Sequence, residues 1–145
     1  MSKKILAVGL ATLAISLSAS QVFAHEEHHH HHHHNVCQDV TPVGVSDLFQ
    51  ISRTGSSATL FFTPVNDHVN RYHIVYGHNE GEELFGQLSA EVTSDSNKGV
   101  QSITINGLDP NQQYSFQVIP VDGCATGTRS NWLTASKAGN TYHHK

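Results

Sequence analysis

The chain is short of charge, and cations are the scarcer sign. Across 145 residues, 8 Lys and Arg stand against 12 Asp and Glu, for a net charge of −4 with the 13 histidines neutral. So few cations exclude the basic field that nucleic acid needs at neutral pH. Long apolar runs are also missing: beyond the N-terminus, no segment approaches the roughly 20 apolar residues of a membrane helix. Nor is there a glycine-rich phosphate loop, a nucleophile elbow or a Cys/His pair in a recognisable motif, so the expectation is that the chain is not an enzyme. Cysteine is limited to Cys37 and Cys124. In an exported chain, an even count favours one disulfide over free thiols.

What is present begins with an export signal. Lys3 and Lys4 precede the apolar run Ile5 to Leu17, and Val22-Phe23-Ala24 supplies the small-residue cleavage pattern. Residues 1–24 are therefore expected to be a signal peptide, leaving a secreted or periplasmic chain with no membrane insertion after processing. No cysteine directly follows the cleavage point, which argues against a lipid anchor. Cleavage removes two of the basic residues and none of the acidic ones, so the remainder is more acidic still. Its histidines titrate near pH 6.5, so its charge depends on pH.

Residues 25–35 read HEEHHHHHHHN, with nothing to bury. The stretch 25–40 is expected to be a disordered histidine-rich tail. From Thr41 to Ser136, short β-branched and aromatic runs alternate with Gly, Asn, Asp and Pro clusters, the pattern of a β-sandwich. Residues 137–145 form a second short tail. Seven strands are expected, over 44–52, 58–63, 72–78, 84–92, 101–106, 113–121 and 129–135, with no substantial helix. Alternation puts Ala58, Leu60 and Phe62, then Tyr72, Ile74 and Tyr76, then Tyr114, Phe116 and Val118, on inward faces. Ile105 and Leu108 complete the expected core.

The segment from Ile105 through Leu108-Asp-Pro110 to Tyr114-Ser-Phe116-Gln-Val118 resembles the turn and sixth strand of fibronectin type III domains, where a Tyr hydroxyl pins the corner. Tyr72-His-Ile74-Val-Tyr76-Gly77 resembles the third strand of that family, and Phe62 stands where its second strand usually has Trp. The resemblance implies an all-β, seven-stranded antiparallel immunoglobulin-like sandwich over 41–136. It says little about function, since the fold hosts adhesion, receptor and spacer roles. Pro120 departs from the pattern: in a central strand it cannot donate a ladder hydrogen bond, so a bulge or an early strand end is expected. The loop 122–128 lacks the Arg-Gly-Asp of integrin-binding members. The arrangement also implies that Cys37 and Cys124 meet at one pole in a disulfide, with a pair of soft metal-ligating thiols as the alternative.

The strongest chemical signal is His25 with the unbroken run His28, His29, His30, His31, His32, His33 and His34. Neutral imidazole binds Zn2+, Cu2+ and Ni2+, and a flexible tract wraps several rings around one ion. An engineered tag or a merely solubilising tail would look similar, but the tract runs into Asn35-Val36-Cys37 without a spacer. Cleavage after Ala24 would also give His25 the amine and ring nitrogen of a copper brace, although a mobile N-terminus is a poor catalytic site. Among the domain histidines, His68 is expected at the pole of the tail, His73 outward in solvent, and His78 at the opposite pole near His143 and His144. Val75, Ile119 and Val121 share the outward face with His73, either as an apolar contact patch or under neighbouring polar chains. Trp132 is either a sugar platform or partly buried structure. The expectation is a non-enzymatic binding protein that captures transition-metal ions through its histidines and requires no cofactor. The alternative is an adhesion, matrix or assembly module that holds an extracellular protein or glycan by its sheet face or loops.

Overall fold

The computed structural model describes residues 36–65 and 67–145. Among the described residues nine strands run in chain order: β1 Leu48–Thr54, β2 Ser57–Phe62, β3 Arg71–Gly77, β4 Phe85–Leu88, β5 Gln101–Asn106, β6 Tyr114–Asp122, β7 Ala125–Thr126, β8 Leu133–Ala135 and β9 Thr141–His143. One sheet has the order β5-β2-β1-β9; the other has β4-β3-β6-β7, with β8 also pairing β6. Among the described residues no helix is long and apolar enough to cross a membrane.

The alternation of the sequence becomes the core between the sheets. Ala58, Leu60, Phe62, Tyr72, Ile74, Ile105, Leu108, Tyr114, Phe116 and Val118 are all buried there, and Tyr76 packs half-buried against them. Leu48, Ile51, Leu133 and Ala135 join this cluster. A bulge between Leu48 and Gln50 lets β1 turn both Leu48 and Ile51 inward.

The sandwich has two more strands than the seven expected. β7 is a short return after a turn at Gly123. β9 arises inside the supposed C-terminal tail: Gly139 takes a left-handed φ of 80° and donates to Arg53 O at 2.7 Å. Tyr142 Oη then closes the turn, accepting from Lys137 N at 2.7 Å and donating to Lys137 O at 3.1 Å. Other strands are shorter than their apolar runs. Val43 and Val45 make only isolated bridges, to Asp67 and Thr128, ahead of β1.

Pro120 neither ends nor bulges its strand. The β3–β6 register runs unbroken from Arg71↔Val121 through Tyr72↔Pro120 to Gly77↔Ser115. Pro120 O accepts from Gly127 N at 2.9 Å, so the missing donor position also points away from β3. It falls in the gap between the pairings of β7 and β8, where no ladder bond is lost.

Candidate functional site

The pole bearing the N-terminal segment gathers most of the chemistry found in the sequence. Cys37 and Cys124 form a disulfide with an S–S distance of 2.06 Å and a Cα–Cα distance of 5.7 Å. Asp39, two residues on, lays its carboxylate over the β6–β7 turn: Oδ2 accepts from Cys124 N at 2.9 Å. Gly123 permits this approach, since its φ is 53° and a Cβ there would collide with Asp39 Oδ2. Asn70 Oδ1 steadies the same turn by accepting from Gly123 N at 3.3 Å. The segment continues with Pro42 packed close to Gly127 and the Val43 and Val45 bridges. Residues 36–47 thus form a strap, fixed covalently at one end and by backbone pairing at the other.

The tract residues His25 and His28 to His34 lie outside the described residues. His68 belongs to the loop after β2, as expected. It holds a left-handed φ of 48°, with Nε2 3.1 Å from Asp67 Oδ1, and its side chain is half exposed. His143 and His144 do not lie near His78, because β9 carries them back along β1. His143 pairs with Gln50, His144 N donates to Phe49 O at 3.0 Å, and His144 Nδ1 stands 3.5 Å from Asp47 Oδ1. The tail pole therefore holds His68 and His144 together with the disulfide.

His78 occupies the other end of β3, with Nδ1 3.2 Å from Gln113 O. Its backbone N donates to Glu82 Oε2 at 3.1 Å. The Glu82 carboxyl is held below the usual carboxylate range, first by a hydrogen bond from Asn79 Nδ2 at 2.8 Å and then by backbone donors.

Cys37 Sγ, Cys124 Sγ and an Asp39 oxygen lie within 4.8 Å of one another. Sulfurs bonded to each other offer a metal no thiolate, so the soft-ligand alternative is closed in this oxidised form. Asp39 was missed in the sequence because nothing in Cys-Gln-Asp marks a carboxylate that reaches a turn far away in the chain.

The outward patch is not exposed: Val75, Ile119 and Val121 are all buried. Long polar chains lie on this face. Arg129 pairs with Glu83 and donates to Gln117 Oε1 at 3.2 Å. Gln117 Nε2 donates to Ser130 O at 2.8 Å. His73, expected in solvent, is half-buried with its ring close over Gly86. Exposed apolar side chains occur elsewhere, at Leu84 just before the edge strand β4, at Phe85 and Leu88 within it, and at Val36, Val40, Val43 and Val45 on the strap. Trp132 is half-buried.

At the far pole, Tyr114 Oη accepts from Asp109 N at 3.2 Å, the corner hydrogen bond implied by the Leu-x-Pro turn. Beside it Arg53 is fully buried. Its guanidinium donates to the carbonyls of Gln112 at 2.7 Å, Asp109 at 3.0 Å and Ala135 at 3.4 Å. It also lies 5.2 Å from the Tyr114 ring centroid. An Arg in phase with Ile51 was the available sequence signal.

Comparison with solved structures gives the same fold. The chain superposes on the FN1–FN3 domains of chicken CNTN1 with a TM-score of 0.53 and 22% identity, covering 67% of this chain and 33% of that one. It thus spans a third of that fragment. The fn3 domain of human contactin 1 gives a TM-score of 0.53 at 17% identity, covering 73% and 89%. A myokine structure gives 0.51 at 12% identity, covering 66% and 97%. No curated protein matches the chain. The family model for the fibronectin type III domain matches residues 44–136. On that match, the chain belongs to the fibronectin type III domain family.

Proposed function

We propose that this chain is an exported binding module that captures transition-metal ions, Zn2+, Cu2+ or Ni2+, through His25 and His28 to His34, with the sandwich as its stable carrier. Fibronectin type III domains are typically binding and adhesion modules rather than catalysts, and the histidine tract gives this member a ligand chemistry of its own. The observation that carries the reading is the position of the tract: it ends three residues before Cys37, which is bonded to Cys124. A metal-loaded tail would therefore stay fastened to one pole. The disulfide also suits the oxidising compartments that residues 1–24 would direct the chain to.

Calorimetric titration of the chain from His25 onward, with no added tag, tests this. Dissociation constants of about a micromolar or tighter are expected for at least one of the three ions. Deleting residues 25–35 should abolish the binding. Millimolar affinity in the intact chain would sink the reading.

A second reading is favoured by the exposed Phe85 and Leu88 on the edge strand β4, with Leu84 just before it. Such an edge suits strand addition by an extracellular protein. That contact would survive deletion of residues 25–35, and a charge placed at Leu88 would weaken it.

A further inference from the structure

The carboxylate of Asp39 does more than cap a turn. Its Oδ2 lies 3.1 Å from Cys124 Sγ, and that sulfur has no hydrogen to donate in a disulfide. The contact places a negative charge against a bond at the surface: Cys37, Asp39 and Cys124 are all solvent-accessible. Exposure alone would leave such a bond open to thiol exchange.

Reduction starts when a thiolate attacks one sulfur in line with the S–S bond. A mixed disulfide forms, and the other sulfur leaves with the bonding pair as a thiolate. Both routes meet Asp39. Attack at Cys37 Sγ expels the Cys124 thiolate next to the Asp39 carboxylate. Attack at Cys124 Sγ brings the incoming thiolate to the sulfur that Asp39 Oδ2 already touches. Either way two like charges share a few ångströms, which raises the barrier. The strap and Gly123 hold the carboxylate there, since a side chain at 123 would displace it.

We propose that Asp39 guards the Cys37–Cys124 disulfide electrostatically, disfavouring exchange with anionic thiols more than with cationic ones. The tie between the N-terminal segment and the domain then persists where anionic low-mass thiols are the available reductants. The inference rests on the disulfide and its carboxylate alone, and it stands whether or not the histidines bind metal.

The test compares two small thiols of opposite charge, cysteamine and 2-mercaptoethanesulfonate, on the folded chain. Alkylation and intact mass report the rate of disulfide loss, normalised to thiolate concentration. The native chain should react about threefold or more faster with the cationic thiol. Asp39→Asn keeps an oxygen for Cys124 N and removes the charge; its ratio should fall toward one, chiefly through faster reaction with the anionic thiol. Salt gives a second arm that needs no variant. At 1 M the screening length is about 3 Å, so the ratio in the native chain should shrink as well. A ratio unchanged by both Asp39→Asn and salt would overturn the proposal. Rates that ignore the thiol's identity and concentration would also overturn it, because local opening of the strap would then limit exchange. If Asp39→Asn disturbs folding, the salt arm on the native chain decides.

Discussion

The two poles of the sandwich are closed by different physics. At the far pole the closure is internal: Tyr114 Oη holds Asp109 N, and the buried Arg53 gathers three backbone carbonyls around the same corner. At the tail pole an exposed strap is fastened by one covalent bond, one carboxylate and two isolated bridges. Few apolar side chains of the strap are buried, and Val36, Val40, Val43 and Val45 face solvent. The far pole is closed from within the core, whereas the strap at the tail pole is held at its outer end by a bond that redox chemistry can make or break.

The largest expected effect comes from removing the covalent closure. A separation of 87 residues between Cys37 and Cys124 corresponds to about 4 to 5 kcal/mol of loop entropy on the chain-closure model. Replacing both cysteines with Ser should lower stability toward that amount in urea denaturation. Hydrogen exchange should rise first in residues 36–47, while β3 and β6 stay protected to the global limit. Uniform loss of protection would break the comparison between the poles.

Arg53→Met is the matching operation at the far pole. It leaves the carbonyls of Gln112, Asp109 and Ala135 short of their donor, each costing about 1 to 3 kcal/mol when buried and unpaired. A total near 3 kcal/mol is expected, with the disulfide intact. A loss under about 1 kcal/mol would show that the corner does not depend on the guanidinium.

Smaller effects separate the two tyrosine pins. Tyr72 serves the tail pole: Oη accepts from Val65 N at 2.9 Å and donates to Asn97 Oδ1 at 2.8 Å. Burial pushes its phenol up, against the lowering effect of these hydrogen bonds. Tyr114 holds a single longer bond. Tyr72→Phe should therefore cost about 2 kcal/mol and Tyr114→Phe about 1 kcal/mol by equilibrium denaturation. Equal losses would mean that the number and length of the hydrogen bonds made by each hydroxyl do not set its contribution.

The smallest effect concerns acid. Glu82 has a folded value below its unfolded one, so its contribution is present at neutral pH and fades as pH falls through the lowered value. Nuclear magnetic resonance titration should place its midpoint below ordinary glutamates, and Asn79→Ala should move it up. The tail pole should not respond to that substitution.

The sandwich was readable because two periodicities agreed with one turn motif. The alternating residues of β2, β3 and β6 declared their inward faces, and Leu-x-Pro with Tyr114 fixed the corner between β5 and β6. Features that depend on long-range contact were harder to see. Pro120 looked disruptive because its position relative to the β7–β8 gap is a property of pairing and not of sequence. β9 was hidden because Thr-Tyr-His is too short to show a period, and the Tyr142 hydroxyl that closes its turn bonds only to Lys137 backbone. The outward valines and Ile119 read as a patch because sequence alternation does not reveal how Arg129, Gln117 and His73 lie across a sheet. Asp39 carried no local signal at all.

The account turns on whether the tract anchored beside Cys37 carries metal in the living cell. The most direct measurement is native mass spectrometry of the protein taken from its own host with metals retained, beside the same protein lacking residues 25–35. The account predicts a chain beginning at His25, closed by its disulfide and carrying at least one Zn2+, Cu2+ or Ni2+, with the metal lost on deletion. An intact tract that emerges free of metal would contradict it.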